Sequence, residues 1–264
     1  NYQRPAFDQV VQALGGGMSI TGTDAEHPTR AGIPIGDLGG GMFGVMGVLS
    51  ALYERERSGE GQHVDISMLD CQISMLNYMA TMYFLSGQEP TPIGNSHFVH
   101  VPYNSYRTAD GHIIIAVIFD SFWDNLLEVV DFEPFRDEKY KTQPGRLADK
   151  DFIDGKLNEL LATNTSDYWL KQLQEKRIPC ARVNRFSEAL SDEQVLSRNM
   201  VVDLEHPGGA KTRGPGNPIK LSRTGEESFS PAPLLGQHTD SVLTSILGYS
   251  AEQIAQLREE GRIA

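Results

Sequence analysis

Asp37 stands where an extended apolar segment, Gly32-Ile33-Pro34-Ile35-Gly36, runs into the glycine-rich stretch Asp37-Leu38-Gly39-Gly40-Gly41. An Asp at a helix start meets the free backbone N–H groups of the first turn, so capping is its ordinary work. The same position suits a carboxylate nucleophile. Gly36, Gly39 and Gly40 would leave the carboxylate uncovered, and the helix dipole favours negative charge there. The local sequence leaves both roles open, and one side chain can fill both. Asp8, preceded by Phe7 on an earlier helical stretch, could reach the same region only if the two helices meet; spacing alone places it on a solvated face. His97 and His100 lie three apart around Phe98, in a segment bounded by Pro90, Pro92 and Pro102. No third ligand is spaced with them, so no metal site is indicated. His238, in the helix-entry sequence Leu234-Leu235-Gly236-Gln237-His238, suits acid/base work or a structural contact. Trp123 and Trp169 read as core or interface anchors. The chain has no phosphate-loop, nucleophile-elbow, zinc-protease or dinucleotide-binding motif in its required context.

These residues need elements to hold them. QVVQALGGGMSITGT (9–23) and the stretch from residue 38 to 53 read as two helices joined by a polar loop. Leu38, Met42, Val45, Met46, Leu49 and Leu52 keep helical period, while Gly39, Gly40, Gly41, Gly44 and Gly47 leave one face almost bare. Each glycine costs a helix about 1 kcal/mol relative to Ala, which implies close approach by backbone, another helix or a ligand. Val64, Ile66 and Met68 alternate with polar residues as in a strand, which would feed a Met-rich helix over 69–85. The proline-rich run near residue 90 closes a first domain. Asp110-Gly111 is a hairpin turn between strands at 103–107 and 112–118, followed by helices at 122–130, 149–162 and 166–176, with Ser166 as N-cap, and a strand at 180–184. The remainder is rich in Gly and Pro and reads as chain that wraps rather than packs. Its final helix begins at Ser250. The expected class is α/β, with domains at 1–88, 89–185 and 186–264.

Composition sets the outer bounds. The 264 residues carry 23 Lys and Arg against 35 Asp and Glu, a net charge of −12, which argues against nucleic-acid binding. Two cysteines, Cys71 and Cys180, support neither a disulfide framework nor a zinc site and point to a reducing compartment. No uninterrupted apolar run reaches the length of a membrane span, so no membrane partner is expected.

Taken together, FDQVVQALGGGMSITG, GIPIGDLGGGMFGVMGVLSAL, ERSGEGQHVDISMLD, GNSHFVHVPYNSYRTADGHIIIAV, IPCARVN, NPIKLS and PLLGQHTDSVL occur here in the order seen in the class III CoA-transferases. The chain resembles that family, which includes formyl-CoA and carnitine CoA-transferases and, on the same scaffold, α-methylacyl-CoA racemases. The resemblance spans essentially the whole sequence. It implies a Rossmann-like large domain plus a small α+β domain in an intertwined homodimer, with residues 1–88 as the remainder of the large domain, 89–185 as the small domain and 186–264 as the return. Full-length members begin with several βα units that have no counterpart here, which implies a separate or missing N-terminal segment.

By the same resemblance Asp37 is the catalytic nucleophile, and Asp8 takes the place of an acidic residue that arranges the active site. The racemase branch has a His at the position of Phe7. A phenyl ring cannot carry a proton, so the resemblance favours transferase over racemase chemistry, with a noncatalytic module as the third reading. A mobile glycine loop of some members falls on His97, Phe98, Val99 and His100, which implies a differently shaped acyl pocket. Met68 matches a residue near the CoA pocket, although a core Met fits its position equally. The implied substrates are an acyl-CoA and a carboxylic acid, with CoA as substrate, no covalently bound cofactor and no metal. The implied location is cytoplasmic.

Overall fold

The computed structural model describes residues 5–225 and 228–263. The chain divides into two compact units, residues 1–183 and 184–264.

The first unit opens with α1 (Asp8–Leu14) and the short α2 (Gly17–Ile20). Gly16, at φ +79°, separates them. A Cβ on Gly15 would lie 2.6 Å from the Gln72 side chain, so this turn is glycine because another helix passes against it. The 24-residue α3 (Ile35–Ser58) follows Pro34 and stops at Gly59, which adopts the left-handed conformation and donates its N–H to the Arg55 carbonyl. Asp37 in the first turn and Arg55 and Arg57 in the last oppose the helix dipole at both ends.

At 24 residues, mostly apolar and little buried, α3 has the length and composition to cross a membrane. Counted across its polar residues the helix is long enough, so the expectation that no segment reaches span length is corrected. Core helices of soluble proteins pass the same test. One face of α3 is occupied by this chain: Cβ atoms on Gly39, Gly40 and Gly47 would lie 2.6, 3.1 and 2.8 Å from Met75, Met68 and Val64. The close approach implied by the glycine stripe is therefore supplied mainly by α4 (Met68–Met75) and the chain leading into it. Gly41 and Gly44 face open space.

Two expectations for this region are corrected. Residues 64–67 form no strand, because no neighbouring strand pairs with them, and Met68 opens α4 with Ser67 as its cap. The single helix expected over 69–85 is broken at Asn77, whose φ of 50° separates α4 from α5 (Tyr78–Ser86). Asn tolerates positive φ better than most residues, and helical periodicity carries no trace of such a break.

Beyond the proline-rich loop, β1 (Tyr103–Arg107), β2 (His112–Ala116) and β3 (Cys180–Arg182) form an antiparallel sheet in the order β1-β2-β3. The hairpin register places Tyr106 opposite Ile113, as the Asp110-Gly111 turn signal required. Against the sheet and around it lie α6 (Asp120–Val129), two 3-10 turns (Glu133–Arg136 and Glu138–Lys141), α7 (Gln143–Ala148), α8 (Lys150–Leu161) and α9 (Ser166–Glu175). The N-cap of α9 is Thr165, which accepts the Tyr168 N–H. Ser166 is instead buried inside the helix, where it bonds to Asp110 of the hairpin turn. The continuous core runs from Val101 to Ile178 and includes Tyr106, Ile113, Trp123, Phe135, Leu157 and Leu173. Trp123 and Trp169 are both core residues.

Arg146 is fully buried in this core. It donates to the carbonyls of Val101 (2.9 Å) and Tyr140 (2.6 Å) and to the Asp120 carboxylate (2.6 Å), with its guanidinium 5.3 Å from the Trp123 ring.

The second unit contains α10 (Phe186–Ala189), α11 (Glu193–Ser197), an antiparallel hairpin of β4 (Val201–Glu205) and β5 (Lys211–Pro215), α12 (Thr239–Ser245) and α13 (Ala251–Glu259). Ser250 and Gln253 form a capping box on α13, as its sequence suggested. The hairpin corrects the reading of 206–222 as merely wrapping chain. Its turn is built from Pro207, Gly208 and Gly209, with Gly209 at φ +80°, and β5 is too poor in apolar residues to announce itself. Both sheets are antiparallel, and the whole is mixed α/β.

Candidate active site

Asp37 is not the cap of α3. It is the third residue of the helix, and Pro34 holds the cap position without a side-chain bond. The cap work is done by Asp8 from α1, whose Oδ1 accepts the Gly36 N–H at 2.8 Å and the Asp37 N–H at 3.4 Å. Thus α1 and α3 do meet, and the solvated-face placement of Asp8 is corrected. The contact joins residues 28 positions apart, beyond the reach of any local pattern. Gly36 is buried beneath it, and a Cβ there would sit 3.0 Å from Asp8 Oδ1 and 3.3 Å from the Asp8 carbonyl oxygen. Glycine at position 36 is what lets the carboxylate close on the turn.

Relieved of capping, the Asp37 side chain is exposed, and among the described residues no hydrogen bond or ion pair engages its carboxylate. The other N–H groups of this turn are also taken: Ile35 donates to the Ile33 carbonyl at 2.8 Å and Leu38 to the Pro34 carbonyl at 3.0 Å. Asp8 is itself held. Its Oδ2 accepts from Gln12 Nε2 at 2.8 Å, and Gln12 Oε1 accepts the Ala31 N–H at 2.9 Å. Sequence reasoning missed Gln12; its only signal was a spacing of four from Asp8, which puts both on one face of α1.

The remaining candidates fall into two groups. Gly39 and Gly40 lie next along α3, with Met75 and Met68 against them, so Met68 packs at the start of a helix and not on a strand. Phe7 caps the backbone of α1 and is 78 % exposed. His97, Phe98 and His100 form a separate aromatic cluster: the His97 ring stacks on Phe98 at 4.4 Å, lies 4.6 Å from His100 and 5.2 Å from Tyr103, and Phe98 contacts Tyr78. His97 Nδ1 accepts the N–H groups of Val99 and His100 at 3.0 and 3.1 Å, so the neutral ring carries its proton on Nε2. Burial, and after it the neighbouring His100, hold this imidazole below its usual pKa. No hydrogen bond or ring contact among the described residues joins this cluster to Asp37. His238 sits at the entry to α12, where its carbonyl accepts the Val242 N–H.

Among the described residues no three His, Cys, Asp or Glu side chains gather as a metal site requires. An exposed carboxylate at a helix start, framed by glycines and with the backbone N–H groups of its turn held by a second carboxylate, has the free oxygens that nucleophilic attack on an acyl carbon requires.

Residues 1–239 match the model of CoA-transferase family III. The chain is 35 % identical over 241 residues to the succinyl-CoA:mesaconate CoA-transferase of Haloarcula hispanica, covering 91 % of this chain and 60 % of that protein. It is 28 % identical over 260 residues to the human succinyl-CoA:glutarate CoA-transferase, covering 98 % and 59 %. The fold is similar to the crystal structure of a CAIB/BAIF family protein from Brucella suis, with a TM-score of 0.78 and 29 % identity over 92 % of this chain and 63 % of that one. The chain thus spans about three-fifths of the length of these relatives. By a family match covering most of its length, by identity to named transferases and by fold, the chain belongs to CoA-transferase family III.

Proposed function

We propose that the protein moves CoA from an acyl-CoA donor to a carboxylic acid, with Asp37 as the nucleophile and a homodimer as the working form. The observation that carries this reading is the division of labour at the start of α3: Asp8 satisfies the first-turn N–H groups, and the Asp37 carboxylate is left exposed. The Haloarcula and human transferases, together with a succinate–glutarate CoA-transferase of Agrobacterium fabrum that is 33 % identical over 245 residues, act on dicarboxylic acids by name. They support succinyl-CoA as donor and a small dicarboxylic acid as acceptor.

In this mechanism an Asp37 oxygen attacks the thioester carbonyl of the donor and expels CoA thiolate, giving a mixed aspartyl anhydride. The thiolate attacks the aspartyl carbonyl, which releases the donor acid and leaves an aspartyl-CoA thioester. The acceptor carboxylate then attacks that carbonyl, expelling thiolate and forming a second anhydride. Attack of the thiolate on the acceptor's acyl carbon gives the new acyl-CoA and restores the Asp37 carboxylate. Each step exchanges one acyl derivative for another, so no ATP is consumed. A carboxylate is a weak nucleophile and an anhydride a high-energy species. Binding of the remote parts of CoA must therefore supply stabilisation realised at the reacting carbon. Because the N–H groups of the first turn of α3 are already bonded, oxyanion donors come from outside that turn.

Epimerisation of an acyl-CoA requires two bases about the α-carbon, and the side chain before Asp8 is the phenyl ring of Phe7. The experiment is capture. The intact protein, given succinyl-CoA and hydroxylamine, forms a hydroxamate at Asp37, and Asp37→Asn abolishes both capture and CoA transfer. Full transfer activity in Asp37→Asn refutes the reading.

A further inference from the structure

Gln12 was given no role by the sequence, yet it completes the bonding that fixes the turn carrying Asp37. It is 2 % exposed. Both ends of its carboxamide are used, and their order is set by the partners: a backbone N–H can only donate, so the Ala31 N–H requires the Gln12 oxygen, and the amide nitrogen then faces Asp8 Oδ2. Asp8 Oδ1 in turn holds Gly36 and Asp37. Two side chains four residues apart on α1 therefore grip α3 at two points, the chain entering it at Ala31 and its first turn at Gly36 and Asp37.

The grip on the first turn depends on how the Asp8 carboxylate is rotated. Oδ1 bonds the Gly36 N–H only while the carboxylate plane is fixed, and the bond from Gln12 to the other oxygen is what fixes it. A carboxylate free to rotate would still neutralise the turn on average, but it would not hold it in one place. Acyl transfer responds steeply to such looseness, because the attacking oxygen must meet the thioester carbon at close to bonding geometry.

We propose that Gln12 is a positioning residue for Asp37, acting by locking the Asp8 carboxylate onto the first turn of α3. The inference rests on the reading of Asp37 as the nucleophile and adds to it the residue that aims that nucleophile. Gln12 is buried and, among the described residues, its side chain bonds only Asp8 and Ala31, so its loss changes the geometry of attack and not the hold on CoA.

The test uses Gln12→Glu and Gln12→Met in the intact protein. The first keeps an acceptor for Ala31 and replaces the donor to Asp8 with a repelling oxygen; the second keeps the buried volume and removes both bonds. Steady-state kinetics, thermal melting and the rate of hydroxylamine capture at Asp37 are measured on each. In both variants kcat and the capture rate fall together, by roughly 10- to 100-fold, and KM for the acyl-CoA stays within about threefold of wild type. If one variant does not fold, the other carries the test. Failure of both to fold assigns Gln12 to stability and overturns the inference, as does a loss of folded protein with kcat per capturable site unchanged. Wild-type turnover without capture at Asp37 removes the nucleophile reading itself. Normal capture in wild type and in both variants removes only the role of Gln12.

Discussion

At the start of α3, an acidic residue in the helix (Asp37) and one outside it (Asp8) divide two tasks that a single capping Asp would combine. Bonding to N–H groups occupies the lone pairs that a nucleophile needs, so Asp8 leaves the lone pairs of the proposed nucleophile, Asp37, unoccupied. The arrangement depends on the missing side chain of Gly36. Gly36→Ala places a methyl 3.0 Å from Asp8 Oδ1, so the carboxylate must retreat from the turn. Transfer activity then falls roughly 10- to 100-fold. Gly39→Ala meets the terminal methyl of Met75, which can swing aside, and the new Ala favours the helix by about 1 kcal/mol. Its loss of activity is accordingly smaller, and its melting temperature stays near that of wild type; side-by-side kinetics and melting curves of the two variants check this ordering. The sequence made Asp37 legible, because a lone carboxylate framed by glycines is a local pattern. It could not show that Asp8 takes over the cap, since that contact spans 28 positions. Gln12 was illegible for a different reason: an amide four residues from an Asp on a helix is common, and only the fold makes it bridge two segments.

The elements around the site follow from which signals are local. The hairpin of β1 and β2 forms where Asp110-Gly111 and the Ile113-Ile114-Ile115 run announced it. The alternation at 64–68 signalled a strand that never forms, because a strand exists only with a partner, and these residues pack beside α3 instead. The break at Asn77 and the β4–β5 hairpin were hidden, one by unbroken apolar periodicity and the other by a Gly- and Pro-rich composition typical of loops. Arg146 shows how a polar residue can organise the core between elements. Its three hydrogen bonds tie the strand entry at Val101, the second 3-10 turn at Tyr140 and the start of α6 at Asp120. Arg146→Met leaves two carbonyls without a donor and costs about 3–5 kcal/mol, most of it from those carbonyls because Asp120 is more than half exposed. Urea unfolding of the variant measures this; a loss below ~1 kcal/mol would mean that water replaces the guanidinium.

Across the whole molecule, the dense core lies between Val101 and Ile178, whereas the candidate nucleophile sits on α3, where apolar side chains such as Met42, Val45, Met46 and Leu49 are more than half exposed. The part that carries the candidate nucleophile is thus not the part with the continuous core. The family match fixes the kind of protein, and the chain's span of about three-fifths of its relatives' length makes the intact protein the proper subject of every activity test. The central claim is that Asp37 exchanges an oxygen with the acceptor acid on each turnover. It is tested most directly by supplying succinyl-CoA and an acceptor dicarboxylic acid whose carboxylates carry oxygen-18, then weighing the peptide that contains Asp37. The second anhydride leaves one acceptor oxygen on the aspartate when thiolate attacks the acceptor carbonyl, so the peptide gains one oxygen-18 in the first turnover and approaches two over the next few. Acceptor-CoA accumulating while the Asp37 peptide keeps its original mass would contradict the account.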